Sequence, residues 1–234
     1  HKKIIIKKSN IFYRNKKNKT IVFFPIKKIN IFYDDKKKIN SVNMMGKMFN
    51  TPFNLDWSKS FDNLQDNTLT FKLNKLNLEI KNQYEKTDKS NIGQSTINIK
   101  NEKLNFEYEA TKNEIIFNSV DSRITNNQIE LLGKINTKPF NLELNGLIDK
   151  IKLSKLFEIS LIFQDLMNEK IIFSKNLSAN ITLDINKLVN NKLFDNLKLF
   201  VNFNNGVIDF DDTTFVSQKI GNMVLVDSSF QSID

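Results

Sequence analysis

Polar and apolar residues alternate along most of this chain with a period of two. The alternation is sharpest in Leu177-Ser178-Ala179-Asn180-Ile181-Thr182-Leu183-Asp184-Ile185, where every odd position is apolar and every even one polar. Successive side chains of an extended strand point to opposite faces, so this run predicts a half-buried β-strand. The pattern returns at Leu197, Leu199, Val201 and Phe203, at Leu104, Phe106 and Tyr108, and at Leu69, Phe71 and Leu73. After Leu73 the apolar positions change parity to Leu76, Leu78 and Ile80, which predicts a bulge or bend near Asn74-Lys75. Polar links such as Asp34 to Lys38, Glu102-Lys103, Thr111 to Glu114 and Asn204-Asn205-Gly206 are short enough for hairpins, whereas Thr87 to Gln94 reads as a longer loop. One segment departs from this rhythm. Leu153, Leu156, Phe157, Phe163 and Met167 fall at helical spacing, with Ser154 placed as a cap, although Ile159 to Phe163 also fits a strand. The expected fold is mainly β and antiparallel, with one short helical segment near residues 153–167.

A decapeptide occurs twice, as Gly46-Lys47-Met48-Phe49-Asn50-Thr51-Pro52-Phe53-Asn54-Leu55 and as Gly133-Lys134-Ile135-Asn136-Thr137-Lys138-Pro139-Phe140-Asn141-Leu142. Gly, Lys, Pro, Phe, Asn and Leu align without a gap at an offset of 87 residues, which implies a copied unit covering approximately 10–60 and 97–147. Repeated units stack into elongated architectures. Each copy reads as strand, tight turn, strand, with Pro52 and Pro139 opening the second strand, where a missing amide donor is tolerated.

Composition narrows the chemistry. The 234 residues are 40% hydrophobic and 11% aromatic, enough for a buried core. Net charge is +9, but Arg14 and Arg123 are the only arginines, and the lysines accompany abundant Asn, Ile and Phe, all with A/T-rich codons. Sequence-specific readers of nucleic acid favour Arg for bidentate contacts, so the charge is read as nucleotide bias, and no nucleic-acid partner is expected. The interleaved Phe12, Tyr13, Arg14, Lys16, Lys17, Phe23, Phe24, Lys27, Lys28, Phe32 and Tyr33 could form a single-strand-binding platform. Alternating strands with Lys on a wet face explain them without nucleic acid and are the preferred reading, since a nucleic-acid binder would need lysines clustered on one surface beside exposed aromatics.

There is no Cys, hence no disulfide, no thiolate zinc site and no cysteine nucleophile, and His1 is the sole His. Walker, dinucleotide and nucleophile-elbow motifs are absent too, so no enzyme, cofactor or metal site is expected. The pairs Asp34-Asp35 and Asp211-Asp212 read as turn residues, and Trp57 as an edge or core anchor. His1 without a preceding Met, and an end at Phe230 to Asp234 without a terminating signal, read as a fragment of a longer chain. No apolar run approaches the ~18 to 20 residues of a membrane span.

The two decapeptide hairpins, the step Asn145-Gly146-Leu147-Ile148-Asp149-Lys150-Ile151, the alternating run from Leu177 to Ile185, and Leu197-Lys198-Leu199 with Asn205-Gly206-Val207-Ile208-Asp209 together resemble the AsmA-like family of Gram-negative envelope proteins. The resemblance covers most of residues 10–215. It implies a fragment, residues 1–234, of one elongated, curved antiparallel sheet forming an open groove in the periplasm. It also implies an inner-membrane anchor upstream of this chain, phospholipid as ligand, other envelope proteins as partners, and non-enzymatic lipid transport that maintains the outer membrane. The apolar rows would then be the lipid-binding side chains: Leu69, Phe71, Leu73, Leu104, Phe106, Leu177, Ile181, Leu183, Leu199, Val201 and Phe203. The competing expectation is a structural or interaction β protein, adhesin-like or an assembly factor, whose apolar face is closed within its own core.

Overall fold

The computed structural model describes residues 2–14, 20–34, 36, 38–48, 51–60, 67–124, 126–168, 173, 175 and 177–231. The chain is mainly β with one helix among the described residues, and it divides into two compact units, His1–Lys103 and Leu104–Asp234.

The first unit is a meander of β1 (Lys2–Arg14), β2 (Thr20–Asp34), β3 (Ile39–Met48), β4 (Thr51–Ser60), β5 (Asn67–Leu73), β6 (Leu78–Lys86) and β7 (Asn91–Ile99). Each strand pairs antiparallel with the next. The parity change after Leu73 is a chain reversal and not a bulge. A 3-10 turn over Asn74–Leu76 ends on Asn77 at φ 48, the left-handed region that Asn tolerates, and Leu73 then lies opposite Leu78. The long loop expected from Thr87 to Gln94 is likewise shorter. Thr87 and Ser90 close a four-residue turn, in which the Thr87 amide donates to the Ser90 carbonyl at 2.8 Å and the Thr87 Oγ1 accepts from the Ser90 amide at 3.0 Å. β7 therefore begins at Asn91. Thr111 and Glu114 build the same turn in the second unit.

The second unit follows with β8 (Glu102–Ala110), β9 (Glu114–Ser119), β10 (Arg123–Ile124), β11 (Asn127–Thr137), β12 (Phe140–Ile148), β13 (Ile151–Lys152), α1 (Leu153–Asn168), β14 (Ala179–Ile185), β15 (Leu188–Val189), β16 (Asn196–Asn204), β17 (Val207–Asp209), β18 (Thr214–Val216), β19 (Met223–Val224) and β20 (Ser229–Gln231). The ladder runs β8, β9, β11, β12, β14, β16. All of these pairs are antiparallel except β12 with β14, which is parallel. Parallel neighbours need a crossover of a dozen or more residues, and α1 supplies it, so the helical segment is what makes the sheet mixed. Ser154 falls inside the first helical turn and not ahead of it. Asn205 and Gly206, at φ 52 and 81, form the two-residue hairpin between β16 and β17.

Both decapeptide copies are hairpins, yet their turns differ. In the first, Met48 pairs with Thr51 and Gly46 with Phe53; in the second, Thr137 pairs with Phe140 and Gly133 with Leu144. The second turn thus lies two residues further along the repeat. Pro52 sits inside β4, but Pro139 belongs to the turn itself, so only the first proline opens a strand as expected.

Three hydroxyls stand in for missing ladder bonds. Thr213 Oγ1 accepts from the Phe200 amide and donates to the Phe200 carbonyl, both at 3.1 Å. Ser122 Oγ does the same for Asn105, at 2.8 and 2.9 Å, and Ser119 Oγ accepts from the Leu131 amide at 2.7 Å while donating to the Ile129 carbonyl at 3.3 Å.

Candidate functional site

Residues directly opposite one another across a ladder share a face, so register decides which side chains meet. In the second unit Ala179, Ile181, Leu183 and Ile185 lie opposite Phe203, Val201, Leu199 and Leu197. The two rows therefore share one face, as their parity predicts. On the other side of β14 the same four residues meet Leu142, Leu144, Gly146 and Ile148, and the row continues through Ile135, Gly133, Leu131 and Ile129 to Ile115 and Phe117, then Ala110 and Tyr108. Phe106, opposite Ser119, ends this face on β8, and Leu104 shares its parity there. An apolar face thus runs unbroken across six strands.

Its two ends are closed. Ala179, Val201, Phe203 and Ile208 form a buried cluster against Met167, Phe173, Leu177 and Phe210. At the opposite end Ile148, Ile151, Ile185, Leu188 and Leu197 are buried. Between them Leu144, Leu183 and Leu199 are half-buried, while Leu142, beside Ala179, and Ile181, beside the buried Val201, pack with Leu199 against the first cluster. The dimensions explain this: six strands at ~4.8 Å spacing span about 24 Å, whereas one helix is about 10 Å wide and covers two strands.

The first unit repeats the arrangement without any α-helix among its described residues. Val42, Met44 and Gly46 on β3 oppose Trp57, Leu55 and Phe53 on β4, which oppose Leu69, Phe71 and Leu73 on β5, which oppose Asn82, Ile80 and Leu78 on β6. Phe53 and Leu73 are buried, and most of the others are half-buried. Trp57 is neither an edge residue nor deep in a core; it lies on an interior strand with its indole N–H donating to the Tyr84 hydroxyl at 3.2 Å. The opposite face is polar, with Asn30 donating to Asn43 at 3.3 Å, Ser58 bonded to Thr68 at 2.7 Å, and Glu79 held by Lys72 at 2.8 Å and Lys81 at 3.2 Å. Those two ammonium groups keep the Glu79 carboxyl below its ordinary range, chiefly through the Lys72 hydrogen bond.

The expected site residues therefore separate into two groups. Leu73, Phe106, Val201 and Phe203 are buried and form the floor of their faces. Leu69, Phe71, Leu104, Leu177, Ile181, Leu183 and Leu199 are half-buried, and among them Leu177 lies outside the strand, against the closed end. The neighbouring Val42, Met44, Leu55, Ile97, Phe117, Ile135 and Leu144 belong to the same faces although the alternation signal did not single them out. Except for Leu55, whose row Phe53, Leu55, Trp57 is continuous, each is interrupted by Gly, Asn or Ser at a face position, as in Val42-Asn43-Met44-Met45-Gly46.

Among the described residues no group of three or more His, Cys, Asp or Glu side chains is placed to hold a metal ion. Asp211 is a turn residue, its carboxylate accepting from the Ser228 amide at 2.8 Å, and Asp212 adopts φ 66. Among the described residues no helix is long and apolar enough to cross a membrane. Compared with protein-family models, curated proteins and solved structures, the chain matches none.

Proposed function

We propose that this protein binds phospholipid acyl chains along its apolar sheet faces, as a non-enzymatic part of lipid passage between the membranes of a Gram-negative envelope. In this reading the chain lies in the periplasm, held to the inner membrane by a segment upstream of it, and works with other envelope proteins. The observation that carries the proposal is the half-buried stretch of the second unit's face, where Leu144, Ile181, Leu183 and Leu199 meet in register beside the buried cluster around Val201. Hydrocarbon surface of that kind either packs or takes a ligand. Each buried CH₂ contributes about 0.8 kcal/mol, so a lipid tail is held by many weak contacts and no single side chain is indispensable.

The test places a charge within the row and beside it. Ile181→Asp puts an unpaired carboxylate against hydrocarbon at a cost of several kcal/mol, whereas Thr182→Asp lies on the opposite, polar face. Mass spectrometry of lipid extracted from the purified, folded variants should show depletion in Ile181→Asp and wild-type recovery in Thr182→Asp. Equal recovery from both, or no lipid in wild-type protein, would instead favour the closed structural alternative.

A further inference from the structure

Charge is not spread evenly along this chain. Residues 1–48 hold 14 of the 35 basic side chains and 2 of the 26 acidic ones, a net +12, while the rest hold 21 against 24, a net −3. A uniform codon bias would not concentrate lysine in this way. Lys2, Lys3, Lys7, Lys8, Lys27 and Lys28 all lie on the β1–β2 hairpin, where Asp34 is the sole carboxylate. Lys7 stands directly opposite Lys28. Like charges placed so destabilise a ladder, and among the described residues none of these six lysine side chains has a hydrogen bond or an ion pair.

The same hairpin exposes hydrocarbon. Ile4 is 57% exposed, Ile5 47%, Phe12 50% and Phe23 48%, with Ile6 and Ile11 close behind. Neighbours in a strand point oppositely, so Ile4 and Ile5 present isoleucine on both sides of β1. Among the described residues β1 pairs with β2 alone. Lys7, Lys8, Lys27 and Lys28 therefore sit between two apolar groups, Ile4 to Ile6 on one side and Ile11, Phe12 and Phe23 on the other, while Lys2 and Lys3 lie beyond Ile4.

An occupant must offer anions and hydrocarbon together. Single-stranded nucleic acid offers anions and planar bases, but Ile4, Ile5, Ile6 and Ile11 have no π-face. Phe12 and Phe23 stack on each other, with centroids 5.5 Å apart and rings inclined by 29°. An anionic bilayer offers both chemistries in the right order, phosphates at the surface and acyl chains beneath. We propose that the β1–β2 hairpin docks this protein on an anionic phospholipid surface, its lysines at the phosphates and its isoleucines and phenylalanines at the acyl boundary. This holds whether or not the sheet faces carry acyl chains.

The test is flotation of the full chain with vesicles of phosphatidylcholine alone or mixed with phosphatidylglycerol, at low and high salt. Binding should require phosphatidylglycerol and weaken as salt rises. Replacing Lys7, Lys8, Lys27 and Lys28 together by Gln should lower affinity by about fivefold per lysine, on the order of a hundredfold or more in all. Because Lys7 and Lys28 repel, that variant should melt no lower than wild type; if it does melt lower, Lys2→Gln with Lys3→Gln serves as the second variant and should cost about tenfold or more. Equal binding to neutral vesicles, or undiminished binding by both variants, would overturn the proposal. So would tighter binding to oligo-dT than to vesicles. Lipid recovery in the Ile181→Asp comparison should be unaffected by the Lys→Gln changes, so failure here and failure of acyl-chain binding are separately visible.

Discussion

Gly133 offers a sharp test of how the second unit packs. A Cβ built there would overlap the Phe117 ring, with three ring atoms closer than any real Cβ contact allows. Phe117 lies opposite Gly133 on β9, and its ring meets Phe106 edge-on at 5.4 Å. The glycine is therefore a seat for a cross-strand ring that is itself held by a second ring. Gly133→Ala must push Phe117 aside. Overpacking of this kind costs about 1–3 kcal/mol, and the loosened aromatic pair adds about 1 kcal/mol. Against that, a less flexible unfolded chain returns about 0.4–1 kcal/mol. The net expectation is a loss of about 2 kcal/mol, read as a lower urea midpoint with an unchanged m-value. Phe117→Ala should also destabilise. In the Phe117→Ala background, however, Gly133→Ala should be neutral or slightly stabilising, giving a coupling of about 2 kcal/mol in the double-mutant cycle. An alanine that costs the same with and without the ring would refute the argument.

Three further outcomes follow from particular contacts. Thr213→Val keeps shape but strips the Phe200 amide and carbonyl of their hydroxyl partner, so it should cost about 2–4 kcal/mol in thermal or urea unfolding, while Thr213→Ser should recover most of it. Glu79 has a folded pKa below its unfolded one, so its contribution is present above the unfolded value and fades as pH falls through the folded value. The stability difference between wild type and Glu79→Gln should accordingly shrink as pH falls below the ordinary Glu value of about 4.3, and should also shrink in high salt. Gly206→Ala meets both a φ of 81 and the Phe173 carbonyl oxygen at 2.9 Å, and should destabilise the β16–β17 hairpin more than Asn205→Gly does; hydrogen exchange at Val207 would report it.

The rows on β14 and β16 were legible because nothing interrupts their alternation over Leu177 to Ile185 and Leu197 to Phe203, and α1 was legible because its apolar spacing changes period. β7 was not. In Asn91-Ile92-Gly93-Gln94-Ser95-Thr96-Ile97-Asn98-Ile99 the face positions nearest the turn are Gly93 and Ser95, opposite Tyr84 and Asn82, so the hydrophobic signal fades where the strand begins. The turn before it was hidden as well, since a Thr hydroxyl capping a Ser amide reads in sequence as generic polar loop. The parallel β12–β14 pair carries no local mark at all, because strand direction is set by the crossover and not by the strand's own residues.

The decapeptide shows most clearly where sequence identity stops determining structure. Both copies place Gly, Lys, Pro, Phe, Asn and Leu at the same spacing, yet the turn shifts by two residues between them. The glycines explain how one pattern serves two registers. Each needs an aromatic ring across the ladder to fill the space it leaves. Gly46 finds Phe53, from within its own copy, with Pro25 Oxygen on its other side and Phe24 packed edge-on against the same ring at 6.5 Å. Gly133 finds Phe117, from a strand outside the decapeptide, and so leaves Phe140 free to sit exposed at the turn. What is preserved is the pairing of an empty position with a ring, while the strand that supplies the ring has changed. A Phe117→Ala variant therefore removes from the second copy what Phe53→Ala removes from the first. If glycine and ring are the working unit, Phe53→Ala should relieve Gly46→Ala less completely than Phe117→Ala relieves Gly133→Ala. The Pro25 carbonyl, 2.6 Å from a Cβ at Gly46, is backbone and cannot swing away.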